Sequence, residues 1–316
     1  MTLVFMFPGQ SSRYPEMLDK LLALNAGNKT ILEQASDTLG RDLAAWYRSE
    51  NDAAFELNRD VQVGVFVANH LYRETLRAHG IESELSLGLS LGEYNHLVDI
   101  GAIEFVDALR VVERRGELYD DGPDGMMASV FPLELDALMP IVERAREFGL
   151  LEVGNMNSPR QHVLSGERAA VERALAILED EQFIEGVVIE QKIPMHSSRF
   201  APVGDALRPV LASARWQSPS KPYVPNVSGS IVRDPTHDGI VESLTQHVSS
   251  PVLWRRSLEQ IVATHPRARF VEVGPRGVLY NLMDKKWLKN PRFKTDAPEN
   301  HTTLFAGVVS ELSNAA

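Results

Sequence analysis

The 316-residue chain contains no cysteine. Disulfides, a thiolate nucleophile and zinc sites built on thiolates are therefore excluded. Proteins of the cytoplasm seldom depend on disulfides, so the composition fits that location, which we expect for this chain.

Long apolar runs are also missing. No stretch approaches the ~20 apolar residues that a membrane-spanning helix needs. The first residues, MTLVFMFPGQSS, lack the basic start and the extended apolar core of a signal peptide. We therefore expect neither a membrane segment nor a secretion signal.

Basic residues are fewer than acidic ones: the chain has 32 Lys and Arg and 43 Asp and Glu, which gives a net charge of −11. Nucleic acid is not expected as the main partner, since binding to phosphates needs a basic field. One dense basic stretch runs from Lys285 to Lys294. Such a stretch is either a solvated helix end or a docking patch for another protein.

Apolar runs bounded by Gly and Pro predict short buried strands at residues 3–7, 84–87, 223–227 and 270–273. Helical patterns lie between them, at residues 15–24, 61–78, 105–119 and 258–264. Strands that alternate with helices predict an α/β fold with a mostly parallel sheet.

The middle of the chain has a different pattern. Strands are predicted at residues 126–131, 151–156, 162–165 and 184–189, with helices at 133–147 and 168–178. This βαββαβ order is that of a ferredoxin-like unit. We predict a small domain, 124–192, inserted into a large hydrolase-like domain formed by 1–123 and 193–316. The cleft between them is the expected ligand site.

A candidate nucleophile lies in the Gly-Leu-Ser-Leu-Gly sequence of residues 88–92, directly after a predicted strand and before a predicted helix. In that context the glycines permit a sharp turn that exposes Ser90, and the N–H of Leu91 can face an oxyanion. The alternative is a chance match in a glycine-rich turn. Serine needs a base, and His196, just after the small domain, lies in the predicted cleft. His96 and His162 are expected to be surface or structural histidines.

Arg115 is the candidate anion ligand. The helix predicted over residues 105–119 has an apolar stripe at helical spacing, formed by Phe105, Ala108, Leu109, Val112 and Tyr119. Arg115 lies at the edge of this stripe, whereas Arg114 points to solvent. An inward arginine needs an anion, and its planar fork suits a carboxylate, either of a structural glutamate or of a substrate.

Seven short motifs follow one another along the chain: Phe7-Pro8-Gly9-Gln10, Gly88 to Glu93, Arg115-Gly116, Asn157-Ser158-Pro159 with Gln161, Val163 and Ser165-Gly166, Ile193 to Ser197, Pro225-Asn226-Val227, and Glu272-Val273-Gly274-Pro275. In this order they resemble the motifs of the malonyl-CoA:acyl-carrier-protein transacylases and of polyketide synthase acyltransferases. The resemblance covers nearly the whole chain.

The resemblance implies a role for each matched position. Ser90 would form an acyl ester, with His196 as general base and acid. The backbone N–H groups of Gln10 and Leu91 would form the oxyanion hole, and Arg115 would hold the free carboxylate of a malonyl-type group. The kinetics would be ping-pong. No metal or redox cofactor is implied, because the substrates carry the phosphopantetheine arm themselves.

Three departures from the family pattern concern the acyl pocket and the base. Gly9 and Gln10 are followed by Ser11-Ser12-Arg13 where the family has glycine, serine and glutamine, and Leu89 replaces a histidine beside the nucleophile. His247 stands where the family has a glutamine whose backbone carbonyl orients the catalytic histidine. Either the carbonyl of His247 keeps that role or the register shifts and Gln246 takes it.

From these features we expect a discrete, trans-acting acyltransferase of polyketide biosynthesis that moves an acyl group from a CoA or carrier-protein donor to an acyl carrier protein. Because Leu89 and Ser11 border the acyl group, aminoacyl or peptidyl groups are candidates beside malonyl. The alternatives are an ordinary malonyl transacylase, a thioester hydrolase and a non-catalytic carrier-binding module. An acidic carrier protein would need a basic face, which we predict at Arg255, Arg256, Lys285, Lys286 and Lys289.

Overall fold

The structure is a computed structural model that describes residues 1–48, 51–299 and 301–313. Its strands are β1 (Leu3–Phe7), β2 (Leu85–Gly88), β3 (Met126–Val130), β4 (Leu151–Met156), β5 (His162–Gly166), β6 (Val187–Glu190), β7 (Arg269–Glu272) and β8 (Arg292–Lys294). Its helices are α1 (Asp19–Leu24), α2 (Gly27–Leu39), α3 (Leu43–Trp46), α4 (Asn58–Ala78), α5 (Gly92–Asp99), α6 (Phe105–Asp120), α7 (Leu135–Ala145), α8 (Arg168–Gln182), α9 (Ala201–Ser213), α10 (His237–His247), α11 (Trp254–Thr264), α12 (Val278–Leu282) and α13 (His301–Ser313).

The larger sheet has the strand order β2-β1-β7-β8, and every pair in it is parallel. Val4 of β1 lies opposite Leu85 of β2 on one side and Phe270 of β7 on the other. All five residues of β1 are buried. Helices cover both faces of a parallel sheet, so its strands become continuous apolar runs, which is why the sequence pattern predicts three of these strands to within a residue or two.

One strand predicted for this sheet is absent from it, and one strand of the sheet was not predicted. Residues 223–227 do not form a strand: Tyr223 makes an isolated bridge to Val232, and a turn follows at 226–228. The side chain of Asn226 is used elsewhere, as described below. Strand β8 lies inside the basic stretch, and its three half-buried residues gave no apolar run to detect.

The helix predicted from residue 15 begins only at Asp19, because residues 15–18 form turns. The polar end of the tail, residues 314–316, lies outside the described residues.

The smaller sheet is antiparallel, with the order β4-β5-β3-β6. Its four strands and the helices α7 and α8 follow the predicted order along the chain. They enclose a separate apolar core that contains Val130, Leu138, Leu164 and Leu178. The edge strand β6 is largely exposed.

Backbone hydrogen bonds join the smaller sheet to the segment before α11. Val252, just before α11, donates its N–H to the carbonyl of Gly154 in β4, and Met156 donates to the carbonyl of Val252, both over 2.9 Å. Asn155 and Val252 thus form a parallel bridge. A cleft opens beside this bridge, between the carboxyl ends of β1 and β2 and the smaller sheet. Within the described ranges, no helix is both long and apolar enough to cross a membrane.

Candidate active site

Ser90 lies in a tight turn, here called the elbow (residues 88–92), between β2 and α5. Its φ of +52° is unusual for a residue with a side chain. The elbow is closely packed: a Cβ on Gly88 would lie 1.9 Å from the carbonyl oxygen of Gly92, and a Cβ on Gly92 would lie 2.0 Å from that of Phe7. Only glycine fits at both positions, because any side chain would clash with the backbone. The Gly-x-Ser-x-Gly pattern therefore follows from the close packing of this turn.

Asn226 fixes the elbow from the side. Its Oδ1 accepts the N–H of Ser90 over 2.9 Å, and its Nδ2 donates to the carbonyl of Gly88 over 2.7 Å. The side chain is buried. Both contacts are made from the turn that replaces the predicted strand at residues 226–228.

Ser90 and His196 form a hydrogen-bonded dyad, with 2.9 Å between Oγ and Nε2. Nδ1 of His196 lies 2.9 Å from the carbonyl oxygen of His247, and the backbone N–H of His196 donates to the carbonyl of Val248 over 3.1 Å. A carbonyl can only accept, so Nδ1 carries the proton and Nε2 is free to accept one from Ser90. This is the arrangement that a serine nucleophile needs.

The pKa of His196 is well below its usual value, chiefly because burial disfavours the imidazolium, and next because of the neighbouring His247. The histidine is therefore neutral near pH 7, which is the state of a general base. His96 has a structural role instead: its ring contacts Ser86 and accepts the backbone N–H of Val224. His162 is buried in β5.

Arg115 lies next to the dyad and is 1% exposed. Its Nη1 donates to Oε1 of Gln62 over 2.5 Å, its Nη2 lies 3.4 Å from Oγ of Ser90, and its guanidinium stacks over Tyr119. Among the described residues, no carboxylate lies within ion-pair distance of it. A structural glutamate, one of the two anions that the sequence left open for Arg115, is therefore absent from the described chain, and the neutral Gln62 accepts from the guanidinium instead. Arg114 points outward and pairs with Glu117, as predicted.

The predicted oxyanion donors lie on both sides of Ser90. Gln10 starts a short 3-10 turn after β1, and Leu91 immediately precedes α5. Within the described ranges, neither backbone N–H donates to another residue of the chain. Leu91 also benefits from the positive end of the α5 dipole. Their role in stabilising an oxyanion stays a prediction.

A pocket of about 240 Å³ opens onto Ser90 and His196. Leu89 and Ser11, the residues predicted to border the acyl group, line this pocket, which is called the acyl pocket below. Their contact with an acyl group stays a prediction. The opposite wall of the pocket comes from the smaller sheet and its loops, with Asn155, Asn157, Gln161, Val163, Ile189 and Glu190. Arg13, which was noted only as a departure from the family motif, also faces this pocket.

Comparison with known proteins identifies the family of the chain. The model of the acyl transferase domain matches residues 4–299. The chain belongs to the acyl transferase domain family.

Two curated relatives are similar over most of their length. The malonyl CoA-acyl carrier protein transacylase of Escherichia coli strain K12 is 33% identical over 284 residues, which are 88% of this chain and 90% of that protein. A polyketide biosynthesis malonyl CoA-acyl carrier protein transacylase of Bacillus velezensis is 29% identical over 290 residues, 90% of this chain and 96% of its own.

Among solved structures, the malonyl CoA-acyl carrier protein transacylase of Clostridium perfringens matches with a TM-score of 0.90 at 26% identity, covering 100% of this chain and 98% of that one. The fold is therefore the α/β fold of these transacylases, and the chain is an acyltransferase.

In this acyltransferase, the predicted histidine-orienting residue His247 contacts the base through its carbonyl, as stated above. Gln246, the alternative, is exposed, and its side chain donates to Glu242. The side chain of His247 makes a contact that the sequence does not predict. It is buried, and its Nδ1 lies 2.9 Å from Oε2 of Glu93.

The five predicted docking cations lie outside the acyl pocket. Arg255, partly buried on α11, pairs with Glu259, which also accepts from Trp287 of the 285–289 segment. This contact brings the two groups of cations together. Lys286 lines a neighbouring cavity of about 640 Å³ that shares Gln161 with the acyl pocket. Lys285 and Lys289 line a further cavity, whereas Arg256 is exposed on α11.

Three residues of the site were missed by the sequence analysis: Asn226, Gln62 and Glu93. Asn226 was quoted within a motif, and the polar residue inside a predicted buried strand was the available signal. Glu93 also closes a quoted motif, but neither it nor Gln62 could be paired with its partner from the sequence, because the partners are 53 residues away for Gln62 and more than 100 for Glu93. In the described part of the chain, no group of three or more His, Asp or Glu side chains is placed to hold a metal ion.

Proposed function

We propose that this acyltransferase moves a carboxylate-bearing acyl group, through an ester on Ser90, from a CoA or carrier-protein thioester to an acyl carrier protein. The observation that carries the proposal is the position of Arg115. A buried guanidinium with no acidic partner in the described chain, 3.4 Å from the nucleophile, is a binding site for an anion that arrives with the acyl group.

The first half-reaction acylates Ser90. Oγ attacks the thioester carbonyl carbon while its proton passes to Nε2 of His196, and the carbonyl oxygen becomes an oxyanion facing the N–H groups of Gln10 and Leu91. When the oxyanion collapses, the carbon–sulfur bond breaks. The leaving thiolate takes the proton from His196, which returns the base to its neutral form.

The second half-reaction reverses these steps with another thiol. The phosphopantetheine thiol of the carrier gives its proton to His196 and attacks the ester carbon. The carbon–oxygen bond then breaks, and Ser90 recovers its proton from His196. Both substrates use the same site in turn, so the kinetics are ping-pong.

Malonyl is the acyl group that these residues favour, since Arg115 supplies the carboxylate site. The pocket also has features that suit a different group: Leu89 adds an apolar wall, and Glu190 faces the pocket from β6. A carboxylate at the wall could accept the ammonium of an aminoacyl group. Aminoacyl or peptidyl transfer is therefore the second candidate, and a role in polyketide biosynthesis would suit either group.

The architecture supports transfer between large thioester substrates. We assign residues 1–123 and 193–316 to the large domain and 124–192 to an inserted ferredoxin-like domain, with the acyl pocket between them.

The carrier would dock on the cations of α11 and the 285–289 segment, near the outer cavity that adjoins the pocket. Carrier proteins of this kind are acidic, and these cations offer an opposite charge on a chain whose net charge is −11.

The test is the intact mass of the protein after mixing with malonyl-CoA, methylmalonyl-CoA, acetyl-CoA or an aminoacyl carrier protein. We expect a malonyl adduct that is absent from Ser90→Ala and present in Ser213→Ala, a matched change at an exposed serine of α9. An adduct only from the aminoacyl carrier would establish the second candidate.

Two further outcomes would contradict transfer. If the adduct forms but is released to water equally fast with and without the carrier, the chain is a thioester hydrolase. If no donor acylates Ser90 while an acyl carrier protein still binds, it is a carrier-binding module.

A further inference from the structure

Glu93 and His247 form a buried contact that the proposed chemistry does not use. Glu93, in the first turn of α5, is fully buried, and His247, at the end of α10, is 2% exposed. Oε2 of Glu93 lies 2.9 Å from Nδ1 of His247. The other carboxylate oxygen accepts the hydroxyl of Tyr223 and, over 3.4 Å, the N–H of Asn226. Burying a carboxylate is costly unless its oxygens have partners, and the contacts with His247, Tyr223 and Asn226 offset that cost.

The contact joins the two halves of the dyad. On one side, Glu93 belongs to the helix that begins at the elbow of Ser90. On the other side, the carbonyl groups of His247 and Val248 hold both nitrogens that His196 uses as donors. The rings of His196 and His247 also stack, with centroids 4.9 Å apart and planes 22° from parallel. A displacement of the His247 side chain would therefore move the base relative to the nucleophile.

A carbonyl acceptor alone would not require histidine at position 247, because every residue has a carbonyl. The side chain here is buried, lies within ion-pair distance of a buried acid and stacks on His196. These three contacts restrict its position far more than packing of an apolar side chain would.

We propose that Glu93 and His247 are a positioning pair, in which Glu93 holds the His247 ring so that the adjoining carbonyl groups keep Nε2 of His196 on Oγ of Ser90. The inference rests on the proposed acylation of Ser90. It adds two residues that never touch the substrate and that set the geometry of the first step. A shift of the base by a fraction of an ångström weakens proton transfer without changing substrate binding.

Two substitutions at position 247 test the donor nitrogen and the stacked ring of His247 separately. In His247→Asn the amide nitrogen takes the place of Nδ1, so the contact with Glu93 is kept and stacking is lost. In His247→Phe the stacked ring is kept and the donor is lost. We expect the rate of Ser90 acylation to stay within about threefold of wild type in His247→Asn and to fall about 10- to 100-fold in His247→Phe, with KM within twofold.

The control is His70→Phe. His70 is another buried histidine, which lies on α4 with its ring stacked on Phe105, so this change should leave the acylation rate unaltered. Glu93→Gln provides a second route to the same test if His247→Phe does not fold. Its amide keeps the size of the carboxylate and loses one of the two acceptor oxygens. We expect a several-fold lower acylation rate at unchanged KM.

A second readout does not depend on any acyl donor. The Nδ1–H of His196 can be followed by proton NMR and assigned by its loss in His196→Ala. We expect the signal in wild type and His247→Asn, and its loss or displacement in His247→Phe or Glu93→Gln. Wild-type rates and an unchanged signal in these last two variants would overturn the positioning pair. A signal that responds as expected in a protein that no donor acylates would instead refute the proposed function alone.

Discussion

Nη2 of Arg115 lies 3.4 Å from Oγ of Ser90, so the proposed anion-binding group and the proposed nucleophile share one small space. The guanidinium is held there by Gln62 and by the face of Tyr119 rather than by an acid. It is oriented before any substrate arrives, and binding an acyl carboxylate requires no existing ion pair to break. A short diacid thioester could therefore contact Arg115 with one end and Ser90 with the other.

Replacing Arg115 with Leu should change acyl selectivity. We expect kcat/KM for malonyl transfer to fall about 10- to 100-fold, the usual cost of a lost charge-assisted hydrogen bond, while transfer of an acetyl group stays the same or rises. Arg114→Leu, one residue away on the solvent side, is the matched control. Competition between malonyl-CoA and acetyl-CoA measures the ratio. Equal losses for both donors would show that Arg115 does not bind the carboxylate.

On the acid side of the pH profile, the acylation rate should fall with a midpoint below pH 6.5. Burial lowers the pKa of His196, and only the neutral imidazole accepts the proton of Ser90. As pH falls, activity should thus persist past the usual histidine range and decline only when His196 becomes protonated. Single-turnover acylation from pH 4.5 to 8 measures this decline. A midpoint at or above pH 6.5 would be inconsistent with the buried, neutral base.

Asn226→Ala should weaken both the fold and the reaction. The change leaves the N–H of Ser90 and the carbonyl of Gly88 without their partner in a buried turn, which costs about 1–3 kcal/mol of unfolding free energy. We also expect acylation to be at least tenfold slower, because the elbow loses its fixed geometry. Chemical denaturation and intact-mass kinetics measure the two effects. Gln260→Ala, at an exposed position of α11, should change neither, and an unaffected Asn226→Ala would rule out the bracing role.

Glu272→Gln should flatten the dependence of stability on pH. Burial raises the pKa of this carboxyl to about 8, despite backbone N–H donors from α12 such as that of Tyr280. The folded pKa exceeds the unfolded one, so the stabilising contribution is present in full below about pH 4.5 and is lost as pH rises to about 8. Between pH 5 and 8 the wild type should lose more unfolding free energy than Glu272→Gln. Parallel curves for the two proteins would contradict this assignment.

The parts of the fold that the sequence predicts well are those with one dominant physical signal. Strand β1 agrees to the residue because a strand buried on both faces is uniformly apolar. The elbow was recognisable because close backbone contacts admit only glycine at 88 and 92. Arg115 was singled out because a charge at the edge of an apolar stripe needs an explanation.

The parts that were missed depend on contacts between distant segments. Residues 223–227 have a strand-like composition, yet the hydrogen bonds of Asn226 to the elbow determine their backbone. The pairings of Glu93 with His247 and of Arg115 with Gln62 join residues that are far apart in the sequence, so the residues next to each of them do not reveal its partner. Strand β8 is three residues long and half-buried, so pairing with β7 rather than local propensity forms it.

The backbone bridge between Asn155 and Val252 also limits how the protein can open for a bulky carrier. The smaller sheet is tied to the larger unit along β4, beside α11, and its other edge, β6, has no strand partner beyond β3 in the described chain. A movement of the small sheet that admits a thioester arm would have to keep this bridge or break its two backbone hydrogen bonds. Ile189 and Glu190 of β6, which face the acyl pocket, lie at the edge of the sheet farthest from the bridge.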